Sequence, residues 1–261
     1  MTVHHNATIE IQRLAYYIEF ESKPIHIQAG EPVELAFTIR NSNGEIAQDL
    51  KIVHEQAIHL LVVSEDLSEF YHLHPEQEAE GRFRLVYTFP QAGQYRLYAD
   101  YTPINSDQIV DQLNLHIAGE ARAAIALIED DILTKSVNGL RFTLTANQPL
   151  RAGEAIMLDF AVEDEQTHQP VTDLQPYLGA LAHFVIISED GSEFLHVHPM
   201  DHHEPSISSH ADSSTDHASH SSTSQISAHT RFPRAGLYKI WAQFQRRGQV
   251  ITVPFVVRVA E

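Results

Sequence analysis

Hydrophobic and polar residues alternate along much of the chain with a period of two. The alternation recurs in short segments such as PVELAFTI, HLLVVS and QYRLYADY, and Gly, Pro, Asn and Asp stand between the segments. Such alternation predicts β-strands that bury one face. Short strands separated by turn residues predict an all-β protein, and we expect each domain to be a β-sandwich of about seven strands.

The sequence contains an internal repeat of the same predicted series of strands. Three blocks of the first half return in the same order in the second: AGEPVELAFTIRNSNGEIAQDL (29–50) and AGEAIMLDFAVEDEQTHQPVTDL (152–174), HLLVVSEDLSEFYHLHP (59–75) and HFVIISEDGSEFLHVHP (183–199), FPQAGQYRLYADY (89–101) and FPRAGLYKIWAQF (232–244). Three ordered matches indicate an internal duplication. We predict two tandem domains, residues 1–119 and 120–261. We expect the Ala-rich stretch EARAAIALIEDD (120–131) to form a short helix or a connecting strand.

One tyrosine in each repeat indicates which type of β-sandwich to expect. Tyr95 and Tyr238 follow a turn that contains glycine and open a strand. A tyrosine corner occupies this position in immunoglobulin-like sandwiches, although two tyrosines that merely pack in the core would give the same pattern.

Histidines recur at matched positions of the second block. If the block folds as a hairpin in which Ser64 faces Glu69, then Leu61 pairs with His72 and His59 with His74. Side chains alternate between faces along a strand, and directly opposed Cβ atoms lie about 5 Å apart. His59, His72 and His74 would then share one face of the hairpin.

The second repeat predicts the same arrangement for His183, His196 and His198. Three imidazoles at these spacings could bind one metal ion through bonds of about 2.1 Å. The alternative is that each histidine packs or caps a strand end. A register shift by one residue would separate the three side chains.

Further candidate ligands differ between the repeats. The first repeat offers His54 and Glu55 before its hairpin, and the second offers His202 and His203 after its motif. The segment 200–230 is rich in Ser and His, and we predict a disordered loop that binds transition ions weakly or serves as a plain linker.

Composition restricts the classes of partner and the metal ions that the protein could bind. The chain has 35 Asp and Glu against 17 Lys and Arg, a net charge of −18, which disfavours nucleic acid and anionic membranes as partners and attracts cations. It contains no Cys and three Met. Imidazole ligands suit Cu²⁺ and Zn²⁺, whereas Cu⁺ prefers sulfur, so we expect Cu²⁺ or Zn²⁺ as the bound ion.

The motifs resemble a known group of proteins. The stretch PYLGALAHFVIISEDGSEFLHVHP, together with FP-x-AG-x-Y, is similar to bacterial two-repeat proteins described as YtkA-like or heavy-metal-associated. A looser likeness is to CopC-type periplasmic copper-binding sandwiches, although their N-terminal His pattern has no match here. These resemblances imply immunoglobulin-like, cupredoxin-like or CopC-like domains located outside the cytoplasm, in the periplasm or at the cell surface. Residues 1–20 show no signal peptide, so a cytoplasmic location stays open.

The sequence therefore favours a non-catalytic metal-binding protein for buffering, delivery or resistance, with a membrane metal transporter or a metallochaperone as its expected partner. One alternative is a structural or adhesion module. A second is a cupin-like metal enzyme, because Glu78 follows His-x-His, but the segment FPQAGQYRLYADY lacks the second His that a cupin requires. No nucleophile elbow or phosphate loop is present, and no apolar run is long enough to span a bilayer.

Overall fold

The computed structural model divides into two compact units. It describes residues 16–47, 49–78, 81–104, 106–120, 122–199 and 225–261. One unit reaches to Glu65 and continues over Glu69–Ala123, and the other comprises Asp66–Ser68 and Ala124–Glu261. We refer to the parts built from strands β1–β9 and β10–β18 as the first and second domains.

The first domain consists of two sheets. Its strands are β1 (Tyr16–Lys23), β2 (Ile27–Gln28), β3 (Pro32–Asn41), β4 (Ile58–Ser64), β5 (Phe70–Leu73), β6 (Glu76–Gln77), β7 (Arg82–Thr88), β8 (Gly93–Tyr101) and β9 (Ile109–Ala118). One sheet has the order β1-β3-β7-β6 and the other has the order β2-β9-β8-β4-β5. All pairs are antiparallel except β2 with β9.

The second domain repeats this plan. Its strands are β10 (Thr134–Val137), β11 (Leu140–Ala146), β12 (Ala155–Asp164), β13 (Leu174–Gln175), β14 (Ala182–Ser188), β15 (Phe194–Val197), β16 (Gln225–Arg231), β17 (Gly236–Arg246) and β18 (Gln249–Val259). One sheet has the order β10-β11-β12-β16. In the other sheet β17 pairs with β13, β14 and β18, and β14 pairs with β15.

Alternation along the strands builds each core. In β3, Val33, Leu35, Phe37 and Ile39 are buried, and they pack with Leu60 and Val62 of the opposite sheet. In the second domain the Phe160 ring of β12 stacks on Phe184 of β14 at 4.2 Å between centroids. Burying one such side chain stabilises a fold by about 1.5–3 kcal/mol, so the two inner faces hold the sheets together.

A tyrosine corner is present in both domains, as predicted. The Tyr95 hydroxyl donates to the Gln91 carbonyl at 3.1 Å, and the Tyr238 hydroxyl donates to the Arg234 carbonyl at 2.9 Å. The preceding glycines have φ values of 144° for Gly93 and 142° for Gly236, a region that residues with a Cβ rarely adopt. The chain is thus an all-β protein of two tandem immunoglobulin-like β-sandwich domains.

Two expectations were wrong in detail. The described part of 120–131 forms neither a helix nor a strand, although the Asp130 carboxylate accepts a hydrogen bond from the Val256 N–H at 2.8 Å. Residues 225–230, predicted to be loop, belong to strand β16, because Ile226 and Ala228 alternate into the core. The rest of the predicted loop, 200–224, lies outside the described residues.

Strand numbers also exceed the expected seven. Each domain has nine strands among its described residues. Two strands of the first domain, β2 and β6, and one of the second, β13, are only two residues long. Within the described residues no helix is long and apolar enough to cross a membrane.

Candidate metal sites on two hairpins

Serine side chains fix the start of each hairpin. The Ser64 hydroxyl accepts a hydrogen bond from the Glu69 N–H at 2.9 Å, and Ser188 accepts from the Glu193 N–H at 2.9 Å. The backbone N–H of each serine donates to the carbonyl of the same glutamate, at 3.2 and 3.1 Å. These bonds hold the chain ends of the turn together, so the repeated Ser and Glu of SEDLSEF and SEDGSEF set the pairing.

An aspartate stabilises the interior of each turn. Asp66 accepts from the Ser68 N–H at 3.1 Å, and Asp190 accepts from the Ser192 N–H at 3.0 Å. The hydroxyl of Ser188, 2.7 Å away, is the largest cause that holds the pKa of Asp190 far below its ordinary value. The Asp190 carboxylate therefore stays ionised wherever the protein is folded at ordinary pH.

The predicted hairpin register is confirmed. Leu61 pairs with His72 and Val63 with Phe70 between β4 and β5. In the second domain β14 and β15 follow the same register, with Val185 opposite His196. Both β5 and β15 end before the His-Pro pair, as expected because proline has no N–H to donate.

This register brings the three predicted rings of the first domain together. The ring centroids of His59 and His72 are 5.3 Å apart, those of His59 and His74 are 5.2 Å apart, and those of His72 and His74 are 4.6 Å apart. His59 is 3% exposed, whereas His72 and His74 are half-buried. We call these three residues the first triad.

The second domain forms a matching second triad. Its ring centroids are 5.7 Å apart for His183 and His196, 4.8 Å for His183 and His198, and 4.5 Å for His196 and His198. His183 is fully buried. All six histidines predicted to form the two triads therefore lie in two compact groups, one in each domain.

A tight turn before β4 orients the first imidazole. Val53 and Gln56 exchange two backbone hydrogen bonds, and the intervening His54 and Glu55 have φ values of 48° and 65°, as in the two-residue turns of β-hairpins. The Val53 carbonyl lies 2.9 Å from Nε2 of His59. A carbonyl only accepts, so Nε2 carries the proton, and Nδ1 of the neutral ring is left with a lone pair.

That lone pair points toward another member of the first triad. Nδ1 of His59 lies 3.0 Å from Nε2 of His72. Because Nδ1 of His59 has no proton to give in the neutral ring, Nε2 of His72 is the donor. A metal ion at this position would replace a shared proton between two nitrogens that already face each other.

The second domain orients its first imidazole in the same way. Tyr177 and Ala180 exchange two backbone hydrogen bonds around Leu178 and Gly179, whose φ values are 50° and 74°. The Tyr177 carbonyl lies 2.8 Å from Nε2 of His183, so Nδ1 of that ring also carries the lone pair.

The buried imidazole nitrogens of the triads are of the type that Zn²⁺ and Cu²⁺ prefer. Besides Nδ1 of His59, four further imidazole nitrogens are buried from solvent: Nε2 of His74, Nδ1 of His183, Nε2 of His196 and Nε2 of His198. In a tetrahedral site with bonds near 2.1 Å, ligand nitrogens lie about 3.4 Å apart. The 3.0 Å separation in the first triad thus needs only a small ring rotation to fit an ion.

The remaining predicted ligands are not members of either triad as defined above. His54 lies in the turn whose Val53 carbonyl accepts from His59, and its side chain is half-buried. His202 and His203 lie outside the described residues. A ligand role for these three residues stays a prediction.

Sequence reasoning missed the neighbours of the triads on the adjoining strand. Asp100 of β8 is directly opposite His59, and Gln243 of β17 is directly opposite His183. The exposed fractions of their side chains are 5% and 4%. YADY and WAQF display the two residues at equal offsets, but only the pairing of β4 with β8 and of β14 with β17 connects them to the histidines.

The fold and the hairpins define the chain as a tandem immunoglobulin-like β-sandwich protein with a histidine triad in each sandwich. It belongs to the family described as domain of unknown function (DUF8832), whose model matches residues 14–117 and 135–261. No curated protein matches the chain.

Several solved structures are similar to the chain at low identity. The adhesin FdeC of Escherichia coli is 17% identical with a TM-score of 0.28, and the alignment covers 96% of this chain and 65% of that one. A Salmonella alpha-2-macroglobulin mutant is 14% identical with a TM-score of 0.30, covering 95% and 15%. A DUF4785 family protein of Legionella pneumophila is 10% identical with a TM-score of 0.31, covering 95% and 56%.

Proposed function

We propose that each domain binds one transition-metal ion, Cu²⁺ or Zn²⁺, through its histidine triad, and that the protein buffers or delivers the ion without catalysing a reaction. The ligand atoms would be Nδ1 of His59 with Nε2 of His72 and His74. In the second domain they would be Nδ1 of His183 with Nε2 of His196 and His198.

One duplicated observation carries the proposal. In both domains a backbone carbonyl accepts from Nε2 of the first histidine, at 2.9 Å in the first and 2.8 Å in the second. Histidines that bind metals almost always donate their other nitrogen to a carbonyl or carboxylate, which fixes the tautomer and the ring plane. Each of these first histidines also has two further imidazole rings nearby, with centroids 5.3 and 5.2 Å from His59 and 5.7 and 4.8 Å from His183, which a histidine that only fills space in a core does not need.

The choice of ion follows from the ligand type. Three neutral imidazoles suit Zn²⁺ and Cu²⁺, and the chain has no Cys to favour Cu⁺. The resemblance to YtkA-like and CopC-type proteins supports the same choice. It also supports, as part of the proposal, a location outside the cytoplasm and a membrane metal transporter or metallochaperone as partner.

Metal titration of the apo protein tests the proposal. Five of the six histidines of the Ser/His-rich segment are first replaced by serine, so that weak binding there does not hide the triads, and His229 on β16 is kept for the control below: His202, His203, His210, His217 and His220. Competition against a chromophoric chelator then measures affinity for Zn²⁺ and Cu²⁺. We expect two tight equivalents per chain in this background, and one equivalent when all three members of either triad are changed to glutamine.

Glutamine is chosen because its amide can still donate to the Val53 or Tyr177 carbonyl while supplying a poor metal ligand. The matched control is His116→Gln with His229→Gln, two exposed histidines on β9 and β16, which should keep both equivalents. Replacing all six triad members should lower affinity by about 100-fold or more. Unchanged affinity in the six-residue variant would reject the proposal and leave the structural or adhesion module as the preferred alternative.

A further inference from the structure

We propose that Asp100 makes the first triad the higher-affinity site for divalent cations, and that the second triad is weaker because Gln243 occupies the equivalent position. The inference rests on the proposed function. It concerns how the two sites differ and which ion charge they favour.

The register places these residues beside the triads. Asp100 pairs directly with His59, and Gln243 pairs directly with His183. Directly opposed residues on adjacent strands project from the same face of the sheet, with Cβ atoms about 5 Å apart. The carboxylate of Asp100 therefore shares the face that carries the first triad, and the amide of Gln243 shares the face that carries the second.

Both side chains are held in place. The Gln108 Nε2 donates to both carboxylate oxygens of Asp100, at 2.7 and 2.8 Å. The Gln243 Nε2 donates to the Thr252 hydroxyl at 3.2 Å. With 5% and 4% exposure, both groups act in surroundings where a charge is screened much less than at the protein surface.

The charge of the neighbouring side chain should give the two sites different affinities for a divalent ion. Three neutral imidazoles add no charge, so a bound Zn²⁺ or Cu²⁺ brings its full +2 into a buried position. A carboxylate within several ångströms offsets part of that cost, and a neutral amide of similar shape does not. Because the interaction is proportional to the ion charge, Asp100 should favour divalent over monovalent ions.

The functional consequence is ordered filling. The first domain would take up a divalent ion at low concentration, and the second would fill only when the ion becomes more abundant. Two sites with different affinities extend the concentration range over which one chain buffers an ion, which a pair of identical sites cannot do.

The test uses two single-site proteins in the serine background described above. One keeps only the first triad, because His183, His196 and His198 are glutamine. The other keeps only the second, because His59, His72 and His74 are glutamine. Zn²⁺ affinity is measured by chelator competition, and Ag⁺ is the monovalent probe. Asp100→Asn is made in the first protein and Gln243→Glu in the second, so each change alters charge with little change in shape.

We expect the first site to bind Zn²⁺ about tenfold more tightly than the second. Asp100→Asn should remove most of that difference, and Gln243→Glu should strengthen the second site. Both changes should affect Ag⁺ by a smaller factor than Zn²⁺, since the ion carries half the charge. A merely structural role of Asp100 would weaken Zn²⁺ and Ag⁺ binding equally.

Zn²⁺ affinity unchanged by Asp100→Asn, or equal losses for the two ions, would overturn the inference while leaving the triads as metal sites. If neither single-site protein binds Zn²⁺ more tightly than the six-residue variant, the proposed function itself fails and the inference fails with it.

Discussion

The hairpins β4–β5 and β14–β15 are built alike, while the strands beside them differ. In both hairpins a serine hydroxyl fixes the turn, the same register aligns the histidines, and a carbonyl orients the first imidazole. Beside them, β8 supplies the buried Asp100 and β17 the buried Gln243. The two repeats thus share the hairpin geometry and differ in the charge next to it. Under the proposed function, three converging imidazoles are what both sites require, and the adjoining charge sets how they differ.

The largest expected effect is a loss of stability when a core phenylalanine is removed, and it should differ between the two domains. Phe37 and Phe160 occupy the same position of β3 and β12, but Phe160 contacts the rings of Phe184, Phe244 and Phe255, whereas Phe37 contacts Phe20. Phe160→Ala should lower the free energy of unfolding by about 3–5 kcal/mol, because large aromatic side chains leave cavities of that cost. Phe37→Ala should lie near the lower end of that range.

Denaturation in urea checks this when both variants are followed by far-UV circular dichroism, and Trp241 fluorescence identifies the transition of the second domain, since it is the single tryptophan of the chain. A larger loss for Phe37→Ala than for Phe160→Ala would contradict the view that aromatic stacking makes the second core the more tightly packed.

The next effect concerns the carbonyls that orient the triads. His183→Ala removes the donor to the Tyr177 carbonyl at a fully buried position, and we expect a loss of about 1–3 kcal/mol. His183→Gln should cost less, because the amide can still donate. His59→Ala and His59→Gln should show the same order in the first domain. Thermal unfolding of the apo proteins measures all four variants, and equal losses for Ala and Gln would argue against the assigned carbonyl bond.

A smaller effect is expected at the tyrosine corners. The Tyr238 hydroxyl donates to the Arg234 carbonyl at 2.9 Å and accepts from the Arg234 N–H at 3.3 Å, while the Tyr95 hydroxyl donates to the Gln91 carbonyl over a longer distance, 3.1 Å. Tyr238→Phe should cost about 1 kcal/mol and Tyr95→Phe somewhat less. Urea midpoints with unchanged slopes would measure the losses, and the reverse order would contradict this comparison.

The smallest effect lies at the turn of the second hairpin. Arg234 forms an ion pair with Asp190 at 3.1 Å, and the first domain has Gln91 at the matching position. Arg234→Gln should hardly change the stability, because the pair is exposed. The pKa of Asp190 should stay below its ordinary value in this variant, since the Ser188 hydroxyl is the largest cause of the shift.

The lowered pKa of Asp190 determines how its contribution to stability changes with pH. A carboxyl whose pKa is lowered by folding stabilises the protein above its unfolded pKa of about 3.9, and this stabilisation is lost as the pH falls toward the folded value. NMR titration of the Asp190 carboxyl in the parent and in Arg234→Gln measures the shift. A return to the ordinary value in the variant would assign the shift to the ion pair instead.

The hairpins could be predicted from sequence because their determinants are local. Ser64 and Glu69 stand five residues apart and bond to each other, so the register follows from a short segment, and the alternation then places His59, His72 and His74 on one face. The tyrosine corners are local in the same sense, since each hydroxyl reaches back four residues.

The features that could not be predicted from the sequence depend on contacts between segments that are distant along the chain. Asp100 is next to His59 only because β8 pairs with β4, and no local pattern fixes which strands become neighbours. Strand β16 was missed because Ile226 and Ala228 are separated by polar residues in a Ser/His-rich context, and their burial depends on pairing with β12. The carbonyls of Val53 and Tyr177 are backbone groups, which a sequence pattern does not distinguish.

The central claim is that each triad binds one ion, and anomalous diffraction from crystals of the full chain grown with Zn²⁺ tests it most directly. Data collected on both sides of the zinc absorption edge should show one peak in each domain, about 2.1 Å from the three assigned nitrogens of its triad. In crystals of Asp100→Asn grown at limiting Zn²⁺, the peak of the first domain should lose occupancy relative to the second. Peaks found only away from both triads, or no ordered peak at saturating Zn²⁺, would contradict the account.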